Sequence, residues 1–92
     1  MNPKFHLQIL SLQGLVFDDL VEAVYLTSEE GEFELLAFHH PLVATLIEGE
    51  IKIANHDSIP IMLGVVSFRE NRCYMIVEVN RSYKGMKEAG DI

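Results

Sequence analysis

An all-β fold, a two-sheet sandwich of about ten short and mostly antiparallel strands, is what this sequence predicts on three observations. Its apolar runs are short and rich in Val, Ile, Leu, Phe and Tyr. Turn residues separate them every eight to twelve positions or so, the rhythm of sandwiches and barrels. Several runs alternate apolar with polar residues, which gives an extended chain one core face and one outer face. The 92 residues, 49% of them apolar, fit one small domain with a real core. A domain of this size buries only roughly 60–65% of its unfolded surface, so a deep active site would compete with the core for side chains. The reading that follows is residues 1–79 as the sandwich and 80–92 as a polar C-terminal tail.

Phe5, Leu7 and Ile9 alternate with His6 and Gln8 in the first strand, and Gln13-Gly14 turns the chain. Leu15 to Phe17 form a short second strand before Asp18-Asp19, and Leu20 to Thr27 a third, closed by the acidic turn Ser28-Glu29-Glu30-Gly31. Val16, Phe17, Leu20, Val21, Val24 and Tyr25 also fit a helical stripe, so periodicity alone leaves a helix open there. Phe33 to Ala37 read as extended, and Pro41 breaks what precedes it. Ala44 to Leu46 and Glu50 to Ala54 flank the Glu48-Gly49 turn. Asn55-His56-Asp57-Ser58 turns into Ile59 to Val65, a short strand ends at Phe68, and after Arg69-Glu70-Asn71-Arg72 the last strand runs from Cys73 to Val79. In that strand Cys73, Met75, Val77 and Val79 take the core face, which leaves Tyr74 and Ile76 outside. Leu20 to Leu26 and Ile59 to Val66 are likewise apolar on both faces, a pattern that points to a partner surface.

Seven Lys plus Arg against fourteen Asp plus Glu give a net charge of −7. That balance disfavours nucleic acid and anionic lipid and favours a basic protein surface. Cys73 is the single cysteine; no intrachain disulfide is possible, and a buried, inert thiol in a reducing compartment is expected. The start lacks signal-peptide features, and Ile59 to Phe68 is about half of the roughly 20 residues a spanning helix needs, so no direct membrane insertion is expected. His6, His39, His40 and His56 do not carry metal-ligand spacing, and neighbours such as His39-His40 point to opposite sides of an extended chain. Glu29, Glu30, Glu32 and Glu34 lack calcium-loop spacing and read as a solvated acidic turn, or as a docking edge for a basic loop. No catalytic residue, cofactor or metal site is expected.

Taken in order, Phe5-His6-Leu7-Gln8-Ile9-Leu10-Ser11, Gly14-Leu15-Val16-Phe17, the stretch from Thr27 through Gly31-Glu32 to His39-His40-Pro41-Leu42, and Gly49-Glu50-Ile51-Lys52-Ile53 resemble the N-terminal β-sandwich domain of the epsilon subunit of F-type ATP synthase. The resemblance covers roughly residues 5–79. Departures are Glu34 at a usual glycine, Ala37-Phe38 for Pro-Gly or Pro-Asn, and Val65-Val66 in place of part of a Gly-Gly turn that retains only Gly64. Typical members continue into a C-terminal helical hairpin at about the point where this sequence stops.

The resemblance implies a non-catalytic rotor subunit at the cytoplasmic face of the bacterial inner membrane. It would link the gamma subunit to the c-ring and couple ion flow to ATP synthesis or hydrolysis, without the inhibitory helices. Carried over by position, Glu32 and His39 would meet the c-ring, and Tyr74 and Ile76 belong to the possible gamma-subunit surface. The alternative is a freestanding sandwich adaptor with changed partners.

Overall fold

Alternation decides which side chains are buried. Phe5, Leu7 and Ile9 are fully inaccessible, and Cys73, Met75 and Val77 are at most 3% exposed. The computed structural model describes residues 2–81 and 83, and every element among them is a strand: β1 (Phe5–Ser11), β2 (Gly14–Val21), β3 (Ala23–Ser28), β4 (Gly31–Leu36), β5 (Leu42–Leu46), β6 (Gly49–Ile53), β7 (Ile59–Arg69) and β8 (Arg72–Val79). The pairing runs β2-β1-β8-β7-β5-β3-β4, with β6 between β3 and β7. β1 and β8 are parallel; the other pairs are antiparallel. The ladder folds over on itself as a sandwich around one core, to which Phe5, Ile9, Phe68 and Met75 contribute from β1, β7 and β8, and Val24, Leu26, Leu35 and Ile51 from β3, β4 and β6. Phe5 and Phe68 meet edge to face at a centroid distance of 5.3 Å, a geometry that suits the ring quadrupoles.

Eight strands replace the expected ten or so: one expected break, before Phe68, does not occur, and another moves from Asp18-Asp19 to Glu22. Asp18-Asp19 lies within β2, on exposed positions of an outermost strand, where carboxylates are solvated without interrupting the ladder. Ile59 to Phe68 is one strand of 11 residues, β7. Its first part pairs with β6 and its second with β5, in a single register interrupted at Ile47-Glu48. The helical option for residues 16–25 does not occur: β2 and β3 occupy the stretch, separated at Glu22. Extra residues at Val16 and Met62 make bulges where the β1–β2 and β7–β8 registers shift, a device that sharpens local twist.

Among the five residues that depart from the epsilon pattern, Glu34, Val65 and Val66 sit inside β4 and β7, where ordinary extended geometry suits any residue. Phe38 alone carries a positive φ, +66°, a conformation costly for an aromatic residue. Asn71 holds it: the Phe38 N–H donates to Asn71 Oδ1 at 2.7 Å, and Asn71 Nδ2 donates to the Lys4 carbonyl at 2.9 Å. Asn71 itself lies with Glu70 in the two-residue β7–β8 turn, both at positive φ, as a primed hairpin turn requires. At the far end of β8 the Asn80 N–H donates to the Pro60 carbonyl at 2.9 Å. Most of the expected tail, residues 82 and 84–92, lies outside the described residues.

Candidate functional site

The chemistry-bearing side chains stand apart. Burial pushes the Cys73 thiol up to about 12, so it remains protonated at neutral pH and is a poor nucleophile. His6 pairs with Asp18 across β1 and β2, and the His56 ring meets Phe17 edge to face at 5.0 Å. His39 and His40 stack at 4.4 Å and do not point to opposite sides as expected. They lie in the β4–β5 loop, outside any strand, and the His39 ring nitrogen Nδ1 lies 2.7 Å from the His40 carbonyl. The described residues contain no group of three or more His, Cys, Asp or Glu arranged to hold a metal ion. What they do display is surface, in three distinct places.

The first is the outer face of β2, β1, β8 and β7. Register sets Leu15 beside Leu10, Leu10 beside Ile76, and Ile76 beside Val65, so one continuous apolar row crosses four strands. Ile76 is 64% exposed. Tyr74, next along the same face of β8, is flanked by Gln8 and Ser67, and Arg72 Nη1 donates to its hydroxyl at 3.3 Å. Tyr74 and Ile76 were expected on this side; Leu10, Leu15 and Val65 join them because of strand order, which no local pattern encodes.

The second is a groove of about 350 Å³ between β4 and β5 that brings Glu32 and His39 together, as lining residues of one depression. Phe33, Leu42 and Ala44 supply apolar wall, while Glu30 and Glu34 join Glu32 on the acidic side. β4 is a terminal strand of the pairing order, so its outward edge is not covered by another described strand. Phe38, 73% exposed, immediately precedes His39; the sequence set it apart only as a departure from the epsilon pattern, and in the structure its positive φ distinguishes it.

The third is the outer face of β4, β3 and β6, where Glu34, Tyr25 and Lys52 form one row across three strands. A hollow of about 500 Å³ lies on one flank of Tyr25, lined by Ala23, Leu36, Ala54, Glu22 and Glu34. The Glu34 carboxylate, hydrogen-bonded to the Tyr25 phenol and close in charge, raises the pKa of Tyr25 above its usual value.

Comparison with known proteins agrees with this architecture. Residues 4–80 match the β-sandwich domain family of the ATP synthase delta/epsilon chain. The chain is 36% identical over 77 residues to the ATP synthase epsilon chain of Campylobacter fetus, covering 79% of this chain and 60% of that one. It is 37% identical over 79 residues to that of Campylobacter curvus, with 82% and 61% covered, and 34% identical over 90 residues to that of Sulfurimonas denitrificans, with 94% and 69% covered. The chain thus spans about 60% of the length of the two Campylobacter relatives. In fold it is similar to a chain of the Tetrahymena thermophila mitochondrial ATP synthase central stalk and c-ring, with TM-score 0.72, 17% identity and coverage of 99% of this chain and 78% of that one. A chain of the Euglena gracilis mitochondrial ATP synthase gives TM-score 0.77 at 19% identity, with 87% and 55% covered. Matched by the family over residues 4–80 and by epsilon chains at 34–37% identity, the chain belongs to the delta/epsilon-chain β-sandwich family of ATP synthases.

Proposed function

We propose that this chain is the sandwich part of a non-catalytic central-stalk subunit of an F-type ATP synthase, a peripheral member of that membrane complex. It links the gamma subunit to the c-ring and so couples ion translocation to ATP synthesis or hydrolysis. The observation that carries the reading, beside family membership, is the apolar row Leu15, Leu10, Ile76 and Val65 on an open sheet face. A row of this kind is an interface feature, since isolated surface apolar residues do not line up across four strands. Tyr74 and Ile76 are the anchors toward gamma. Glu32 and His39, sharing one groove, meet the c-ring, where a carboxylate and an imidazole suit polar and basic loops. The task is mechanical: a rigid sandwich with a large enough contact on each side transmits torque and makes no covalent bond.

Co-purification with the cognate gamma subunit and c-ring tests this. Ile76→Glu puts an unpaired charge in the apolar row and is expected to cost about 2 kcal/mol or more of gamma binding, some thirtyfold in affinity, with the c-ring contact unaffected in isolation. Glu32→Gln is expected to weaken ring association and leave gamma binding unchanged. If the folded chain binds neither component, the rotor role is wrong.

A further inference from the structure

The loop between β4 and β5 carries His39 to the groove shared with Glu32, and its shape is not self-sustaining. Its first turn closes where the His39 N–H donates to the Leu36 carbonyl at 3.2 Å, which puts Phe38, at φ +66°, in the third place of a four-residue turn. Glycine or asparagine usually fills such a place, because a bulky side chain resists the left-handed region. Phe38 is 73% exposed, so burial of its ring does not offset the cost. The hold comes from elsewhere in the chain. Asn71 Oδ1 accepts the Phe38 N–H at 2.7 Å, Nδ2 donates to the Lys4 carbonyl at 2.9 Å, and the Asn71 carbonyl accepts the His6 N–H at 3.3 Å. One residue of the β7–β8 turn thus clasps both the loop and the start of β1. The turn itself does not require an amide there: Asn71 is the second central residue of a primed turn, at φ +59°, where glycine serves as well. Only the side-chain bridge needs asparagine. Beyond Phe38 the His39 ring meets buried Phe68 edge to face at 5.7 Å and stacks on His40 at 4.4 Å. Its Nδ1 lies 2.7 Å from the His40 carbonyl. A carbonyl only accepts, so the neutral ring carries its proton on Nδ1 and keeps Nε2 as an acceptor.

We propose that Asn71 is a positioning residue: by holding Phe38 in the left-handed region it sets His39, in one tautomer, beside Glu32 before the rotor ring arrives. Docking then carries no cost of ordering the loop. The inference rests on the reading of that groove as the ring contact and deepens it. In place of a turn that glycine would stabilise locally, this chain uses a side chain from a distant hairpin. Asn71 also immediately precedes β8, the strand of Tyr74 and Ile76, so a single amide ties the ring-facing loop to the strand that bears the proposed gamma anchors.

The test compares the isotopically labelled parent chain with Asn71→Gly, which keeps the primed turn and deletes only the bridge. At about pH 8, where imidazole is neutral, the parent's His39 nitrogen signals are expected to report Nδ1–H and its Phe38 amide to exchange slowly. In Asn71→Gly the Phe38 amide is expected to exchange at least about tenfold faster, and the His39 signals to move toward the Nε2–H form of an unconstrained ring. Capture of the cognate c-ring is expected to weaken about tenfold, with gamma binding at the parent level. In a Phe38→Gly background the left-handed conformation has no steric cost, so the same change is expected to move the His39 signals much less. A role in stability alone would leave those signals in place. An unchanged circular dichroism spectrum and a melting temperature well above that of the assay separate a released loop from a lost fold. The idea is overturned if folded Asn71→Gly keeps the parent's His39 signals, if it captures the ring as the parent does, or if its effect is as large in the Phe38→Gly background. If the parent itself captures no ring while its loop signals respond as stated, it is the rotor reading that falls, and the positioning role falls with it.

Discussion

Gly64→Ala tests how tightly β7 and β8 are joined beneath the apolar row. Gly64 is buried in the second half of β7, paired with Leu46 on one side and Val77 on the other. An added Cβ would stand 2.8 Å from Val77 Cγ1 and 3.1 Å from the Ile76 carbonyl oxygen. Neither neighbour can swing away: Val77 is β-branched, stiff at χ1 and 3% exposed, and the carbonyl belongs to the backbone. Overpacking of this kind costs about 1–3 kcal/mol, offset by about 0.4–1 kcal/mol from a less flexible unfolded chain. The net loss is about 1–2 kcal/mol, or a fall of about 5–15 °C in melting temperature at this chain length. Thermal and urea unfolding measure it, with an unchanged m-value marking a pure stability effect. Val77→Ala removes the closest atom, so the double variant is expected to be more stable than the sum of the two single losses by about 1 kcal/mol. A Gly64→Ala protein melting within about 2 °C of the parent, or a double variant that is simply additive, refutes the reasoning. Because the crowded oxygen is that of Ile76, any accommodating shift also displaces the apolar row, and the gamma binding proposed above should weaken along with stability.

Two further expectations follow from titrating groups. The Asp18 carboxyl is held below its ordinary value chiefly by its hydrogen bond to His6, with smaller help from Gln8 and the His6 charge, against a counteracting loss of hydration. A depressed carboxylate contributes stability that is full above its unfolded value, near pH 4, and is lost as pH falls through the lower folded value. Asp18→Asn is therefore expected to flatten the fall of melting temperature below about pH 4 and to leave its slope near neutrality almost unchanged; a steeper acid slope contradicts the assignment. Native Cys73, fully buried with its thiol pushed up to about 12, is expected to react with a thiol reagent at pH 8 only at the rate of unfolding; prompt stoichiometric labelling of folded protein counts against that burial.

Much of this could be read from residues, and what could not has identifiable physical causes. The fold class and the inward set Phe5, Leu7, Ile9, Cys73, Met75 and Val77 follow from alternation, a local property. Tyr74 and Ile76 were placed outside by the same rule. Strand boundaries were harder: paired aspartates normally signal a turn, yet at the outermost strand β2 they are solvated within the ladder. The stacking of His39 on His40 escaped notice because it depends on a loop pinned by Asn71, 33 residues from Phe38. Likewise the row of Leu15, Leu10, Ile76 and Val65, and the joining of Glu32 to His39 in one groove, are consequences of which strand lies beside which. Glu34 and Tyr25 illustrate the same limit, since they come opposite one another only once β3 and β4 are in register.

The parallel pairing of β1 with β8, His6 opposite Arg72 through Leu10 opposite Ile76, also sets the order of events when the chain is made. Those two strands come from opposite ends of the domain and sit side by side within the ladder, so the sheet that carries the apolar row cannot close until β8 has left the ribosome. Such a topology pays its loop-closure entropy late and folds on the millisecond-to-second scale of β-rich domains. Until then β2 and β1 on one side and β7 on the other present open edges, and the nascent chain is most prone to wrong pairing during that interval.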